Sequence, residues 1–187
     1  HDPPVKDAYI RAASIHLASG QVDSATETFE RFQARFPGES HSIQSHLLAA
    51  KAERLKRDGD FLGAVNAYSE ALQDQPQSVD LLQGLAGVYF AAGQLEDALQ
   101  AYDRAARIEP TNKQVLAGRV DVLAAMLGHA LGRGDTATAH ELVVRALDAS
   151  GNSEEALGRT LQMAMSAQNW QVADEIARRL PNTQQWR

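Results

Sequence analysis

One spacing constrains this chain more than any other feature. Gly59 and Gly93 lie 34 residues apart, as do Pro76 and Pro110, Ala64 and Ala98, Tyr68 and Tyr102, and Ala71 and Ala105. Helix breakers, small residues and aromatics agree on one period, and a fixed period of this size marks a repeat architecture. Each unit reads as two helices. In 79–112, Leu82, Leu85, Ala86, Tyr89 and Phe90 recur at helical spacing before Gly93 interrupts them. Leu95, Ala98, Leu99, Tyr102 and Ala105 form a second amphipathic stripe. Glycine enters left-handed backbone space without penalty, so Gly93 suits the turn between the two. Pro110 ends the second helix, and Thr111 or Asn112 can cap the next. Short connections make neighbours antiparallel. A pair of helices cannot bury its apolar face alone, so the units must stack.

Composition supports this reading and removes others. Of 187 residues, 32 are Ala, which suits close helix packing, and 44% are hydrophobic. That apolar content is too high for a disordered chain. There is no cysteine, hence no disulfide framework or thiol nucleophile, and the compartment stays open. The 18 Lys and Arg against 24 Asp and Glu leave a net charge of −6, which gives no support to a nucleic-acid partner. No run of 18 apolar residues occurs, so no membrane span is expected. The start at His1-Asp2-Pro3-Pro4, without Met, is expected of an excerpt from a longer or processed chain.

The period slips twice. Gly20 to Gly59 and Pro37 to Pro76 are both 39, which places five extra residues around 39–44 as a longer loop or an early helical turn. Gly93 to Gly134 is 41, and seven extra residues add two helical turns, about 10 Å. The helix over about 112–131 should therefore be lengthened, with Leu116, Val120, Leu123, Leu127 and Leu131 as its packing stripe. It either protrudes to meet a partner or packs on its own neighbours. Gly118, Gly128 and Gly132 read as weak points in it. Near the end, Trp170 is expected in the core and Trp186 in a frayed tail.

The unit resembles a tetratricopeptide repeat, whose loose pattern is Trp/Leu, Leu, Gly/Ala, Tyr, Ala, Phe/Tyr, Ala and Pro. The stretch 79–112 matches it with Leu82, Leu85, Ala86, Tyr89, Ala98, Tyr102, Ala105 and Pro110. The stretch 45–78 matches with Leu48, Ala52, Leu55, Ala64, Tyr68, Ala71 and Pro76, and 6–39 with Tyr9, Ala13, Gly20, Ala25, Phe29 and Pro37. The expected fold is all-α, a right-handed superhelical solenoid of about five such helix pairs. A single array would fill 1–187, with repeats at 6–39, 45–78, 79–112, 113–151 with a lengthened first helix, and 154–187 in degenerate form.

The resemblance implies a protein–protein interaction scaffold that holds a peptide or helix of another protein in its groove. The family's inward positions fall here on Leu17, His46, Glu53, Lys56, Arg57, Asp80, Gln83, Phe90, Asp121, Leu131 and Met165. Leu17, Phe90, Leu131 and Met165 would be the anchors, since large apolar side chains dominate binding energy. The family's carboxylate clamp for acidic chaperone tails does not fit, because its positions carry Ile10, Ser14, Ala50, Asp80 and Gly84. In style the Ala-, Gln- and Leu-rich repeats are similar to bacterial envelope scaffolds, including those of exopolysaccharide export. A periplasmic or outer-membrane-associated setting is thereby expected over a cytoplasmic one. Two other roles stay open, a spacer that self-associates through its terminal repeats and a domain that contacts polysaccharide directly.

No enzyme constellation stands beside this, and neither cofactor nor metal is expected. His129, Asp135 and His140 lack metal-ligand spacing, and no phosphate loop or nucleophile elbow occurs. Lys51, Arg54, Lys56 and Arg57 crowd one helix with Glu53 among them. They read as a solvated face, with a docking site for an acidic segment as the alternative.

Overall fold

A computed structural model describes residues 3–36, 41–151 and 153–180. Among these residues there are ten helices and no strand. Contacts divide the chain into two compact units, His1–Ala92 and Gly93–Arg187, and the boundary falls inside the expected repeat 79–112.

The first unit contains α1 (Pro3–Ala18), α2 (Val22–Arg35), α3 (His41–Arg57), α4 (Phe61–Asp74) and α5 (Val79–Ala91). Consecutive helices pack on each other, and α3 also touches both α1 and α5. The core contains Ala25, Phe29, Phe32 and Leu47, with Tyr9 and Phe36 edging onto it. The five-residue slip appears as an early helical start, since α3 begins at His41, four residues before 45; residues 39–40 of the insertion lie outside the described part.

The second unit contains α6 (Leu95–Ile108), α7 (Lys113–Gly132), α8 (Thr136–Ser150), α9 (Glu154–Ser166) and α10 (Trp170–Arg179). Here α7 packs on α6, α8 and α9, and α10 on α8 and α9. The helix α7 has 20 residues against 13 in α5, the same seven-residue excess as in the glycine spacing. Length and apolar composition alone would let α7 cross a bilayer. Its Val115, Val120, Val122, Leu123 and Leu127 are instead buried, as in the central helix of a packed bundle.

The period is visible in the turns. Three-residue connections follow α1, α3, α5, α7 and α9, and the middle residue of each has positive φ: Gly20 at 72°, Gly59 at 82°, Gly93 at 74°, Gly134 at 72° and Gln168 at 55°. Four are glycines, for which this conformation is free, and one is a glutamine, for which it is strained. Polar caps fix the helix starts. Asp60, Asp135 and Asn169 accept from backbone N–H groups of α4, α8 and α10, and Ser78, Asn112 and Ser153 do the same for α5, α7 and α9.

Two expectations are corrected. Trp170 is not in a core. It is 63% exposed at the first position of α10, where no described helix covers it. Trp186 lies outside the described residues. Gly118 is not a weak point either, because its missing side chain is filled by a tyrosine. A Cβ there would stand 2.4 Å from Tyr102 Cζ, and a Cβ at Gly84 would stand 2.3 Å from Tyr68 Cζ. In each unit a ring from a second helix thus lies directly on the bare backbone of the following first helix.

Candidate partner-binding site

The expected groove residues sit on first helices, and their surroundings differ sharply between positions. In the first unit α3 carries a compact charged group. Glu53 accepts from the Tyr68 hydroxyl at 2.7 Å and pairs with the Lys56 ammonium at 2.6 Å. The Arg57 guanidinium reaches the Glu53 carbonyl at 3.4 Å. Lys56 lies toward α5, since a Cβ at Gly87 would stand 4.0 Å from its Nζ. Burial acts to raise the Glu53 carboxyl, but hydrogen bonds from Lys56 and Tyr68 and the charges of Lys56 and Arg57 outweigh it. The carboxyl is held below the ordinary carboxylate range. Burial and then the Glu53 carboxylate push the Tyr68 phenol far above its ordinary value.

Two of the four basic residues on α3 pair with carboxylates of the same molecule. Lys56 is taken by Glu53, and Arg54 reaches back to Asp23 of α2 at 3.0 Å. His46 and Asp80 are exposed, Gln83 is half-buried, and Phe90 stands 41% exposed on the last turn of α5. The Leu17 side chain lies outside the described part of α1.

In the second unit a different ion group occupies the first helices. Arg159 of α9 pairs with Asp121 of α7 and with Glu155 of α9, the latter at 2.7 Å. The hydrogen bond that Arg159 donates to Asp121 is the main reason its guanidinium is held above its ordinary value. Leu131 is 37% exposed near the end of α7, and Met165 is 53% exposed near the end of α9. Two glycines of the same helices, Gly128 and Gly158, have nothing within 4 Å of where a Cβ would be. They are unlike Gly84 and Gly118, because among the described residues no side chain lies within 4 Å of that place.

Four of the expected anchors share one repeat position. Leu17, Phe90, Leu131 and Met165 each lie three residues before the left-handed turn residue, and Lys56 holds that place on α3. Sequence reasoning selected these residues but missed the tyrosine–glycine contacts. Their signal was present, since Tyr68 to Gly84 and Tyr102 to Gly118 are both 16 residues.

The residues weighed as chemistry have structural tasks. Asp135 caps α8, and its hydrogen bonds with Thr138 hold its carboxyl below the ordinary range. His140 makes a 3.0 Å hydrogen bond with the Ala167 carbonyl. Among the described residues no group of three His, Cys, Asp or Glu is placed to hold a metal ion.

Two models of the tetratricopeptide repeat match the chain, one over residues 7–38 and one over 55–120, together just over half of its length. The chain belongs to the tetratricopeptide repeat family. Solved structures agree on the fold. A tetratricopeptide repeat protein from Parabacteroides merdae is 17% identical at a TM-score of 0.62, over 91% of this chain and 63% of that one. A MamA crystal structure is 13% identical at a TM-score of 0.59, over 93% of this chain and 87% of that one. The Pseudomonas aeruginosa pilF structure is 17% identical at 0.56, over 95% and 76%. Likeness at such low identity shows the all-α tetratricopeptide solenoid class and nothing finer. The chain spans 63% of the length of the Parabacteroides merdae protein.

Proposed function

We propose that this tetratricopeptide array is a scaffold that binds a segment of another protein along its first helices. The observation that carries this is the shared anchor position. Phe90 in one unit and Leu131 and Met165 in the other stand exposed, at 41%, 37% and 53%, at the same repeat position. Within each unit an amphipathic helix or an extended peptide would cover the exposed anchors of that unit, with polar residues toward the Glu53 group in the first and the Asp121 group in the second. The open space above Gly128 and Gly158 leaves room for a bulky partner side chain.

The test is affinity capture from an extract of the source organism with the immobilised chain, compared with Leu131→Asp combined with Met165→Asp. These side chains are exposed, so the variant keeps its helicity. We expect the retained partner to be lost by about tenfold or more. An unchanged set of captured proteins removes the groove reading. As the setting we propose assembly of an export complex in the bacterial envelope, on the style of the repeats. Fractionation of the natural protein with the cytosol would remove that part and leave the scaffold reading intact.

A further inference from the structure

We propose that Met165 is an oxidation switch of the groove: a peroxide converts its thioether to the sulfoxide, and the altered side chain releases the partner. The inference rests on the groove reading above and adds its regulation. The chain has no cysteine, so its sulfur chemistry belongs to three methionines, Met126, Met163 and Met165. The fold separates them by access. Met163 is 5% exposed, whereas Met165, two residues on in the same helix, is 53% exposed. Two steps along a helix turn the side-chain direction through about 200°, which puts the pair on opposite faces of α9. Met126 of α7 is half-buried.

The place of Met165 is one that a further repeat leaves open. Leu131 holds the same repeat position on α7, with α9 packed against that helix, and is still 37% exposed. Exposure here is thus a property of the repeat position and not of the last helix pair. Met165 sits in the last turn of α9, and backbone bonds fix that end. The Ala167 N–H donates to the Met163 carbonyl at 2.9 Å, and the Gln168 N–H to the Met165 carbonyl at 3.1 Å. Neither bond involves the thioether, so oxidation leaves the helix end intact.

The step is a transfer of one oxygen. A sulfur lone pair attacks an oxygen of hydrogen peroxide, the O–O bond breaks, and after proton transfer the products are the sulfoxide and water. Sulfur loses two electrons and the peroxide gains them. A flexible apolar side chain, which adapts to the surface of a partner, becomes polar and chiral. In open solvent the new oxygen is hydrated, so the free chain pays nothing for it. Under an apolar residue of the partner the same oxygen is buried without a donor. The change therefore acts against the bound state and not against the fold. Phe90 and Leu131 hold the equivalent places without sulfur, so the second unit has one anchor that peroxide alters beside one that it does not. Methionine sulfoxide reductases reverse the step.

Hydrogen peroxide is the probe. In the treated chain, tandem mass spectrometry should find one added oxygen at Met165 about tenfold or more faster than at Met163. Met126 should fall between them, and helicity by circular dichroism should not change. After the peroxide is removed, the oxidised chain should retain about tenfold less of the partner in the affinity capture described above. Treatment with the two methionine sulfoxide reductases, one for each sulfoxide epimer, should restore it. Met165→Leu has no sulfur at this place and supplies its own baseline, which peroxide should not lower. Equal oxidation of Met163 and Met165 overturns the proposal, as does a fall in capture by peroxide-treated Met165→Leu. If Leu131→Asp combined with Met165→Asp loses the partner while the oxidised chain keeps it, the switch falls and the groove reading stands. If neither change affects capture, both fall.

Discussion

The tyrosine junctions of the two units share a shape and differ in chemistry. Tyr68 on Gly84 and Tyr102 on Gly118 place the same ring on the same kind of bare helix backbone. Tyr68 then donates its hydroxyl to Glu53, a carboxylate that Lys56 also holds. The residue 34 places after Glu53 is Gly87, so the second junction has no such acid at its Tyr102. There burial, and then the more distant charge of Asp121, raise the phenol. Ring packing is thus the common element, and the hydrogen bond is an addition made in one unit only.

Overfilling the ring sites breaks both junctions and has the largest expected effect. Gly84→Ala and Gly118→Ala each force a tyrosine ring off its seat and should destabilise by about 2–3 kcal/mol, read as a fall in Tm or in the urea midpoint. Ala is otherwise the better helix former, so an increase in stability would show that the rings are not seated there.

Removing the hydroxyl separates the junctions. Tyr68→Phe should cost about 1 kcal/mol, since it deletes a bond to a charged acceptor, while Tyr102→Phe should cost less. The pH dependence follows the same division. The folded-state phenol of Tyr68 is raised, so its contribution is full below the ordinary tyrosine value of about 10 and is lost as pH rises beyond it. The folded-state carboxyl of Glu53 is lowered, so its contribution is present above the ordinary carboxylate range and is lost as pH falls through the lowered value. Alkaline unfolding curves of wild type and Tyr68→Phe should accordingly converge as pH climbs past about 10.

Smaller gains are expected where backbone conformation alone is at issue. Gln168→Gly relieves the one non-glycine left-handed turn among the described residues and should stabilise by about 1 kcal/mol. Gly128→Ala meets nothing within 4 Å and should stabilise by about 0.5–1 kcal/mol. It provides a control for the opposite sign expected at Gly84 and Gly118, all by thermal unfolding.

Much of this fold was legible in the sequence because turns and caps are local. Gly20, Gly59, Gly93 and Gly134 announced the left-handed turns, and Asn112 announced a helix start. The ring sites were not read, although their spacing was in view. A glycine inside a helix looks like a defect until the side chain that fills its place is known, and that side chain comes from another helix. Trp170 was misjudged for a related reason. An aromatic on an amphipathic helix belongs in a core only where a neighbour arrives to cover it, and its own sequence cannot say whether one does. The anchors Phe90, Leu131 and Met165 were selected from the repeat position alone, and their solvent exposure came from the structure.

The junction of α8 and α9 uses neither tyrosine nor glycine. It contains two fully buried hydroxyls, Ser150 and Thr160, hydrogen-bonded to each other at 2.7 Å, with the Ala146 carbonyl 2.7 Å from the Ser150 hydroxyl and the Ala156 carbonyl 2.9 Å from that of Thr160. Alanine surfaces can slide past one another at little cost, but this pair cannot. A shift of one residue would break the hydrogen bond that joins the two helices, at about 1 kcal/mol. The pair therefore works as a registration mark, telling α9 how far along α8 it must come to rest.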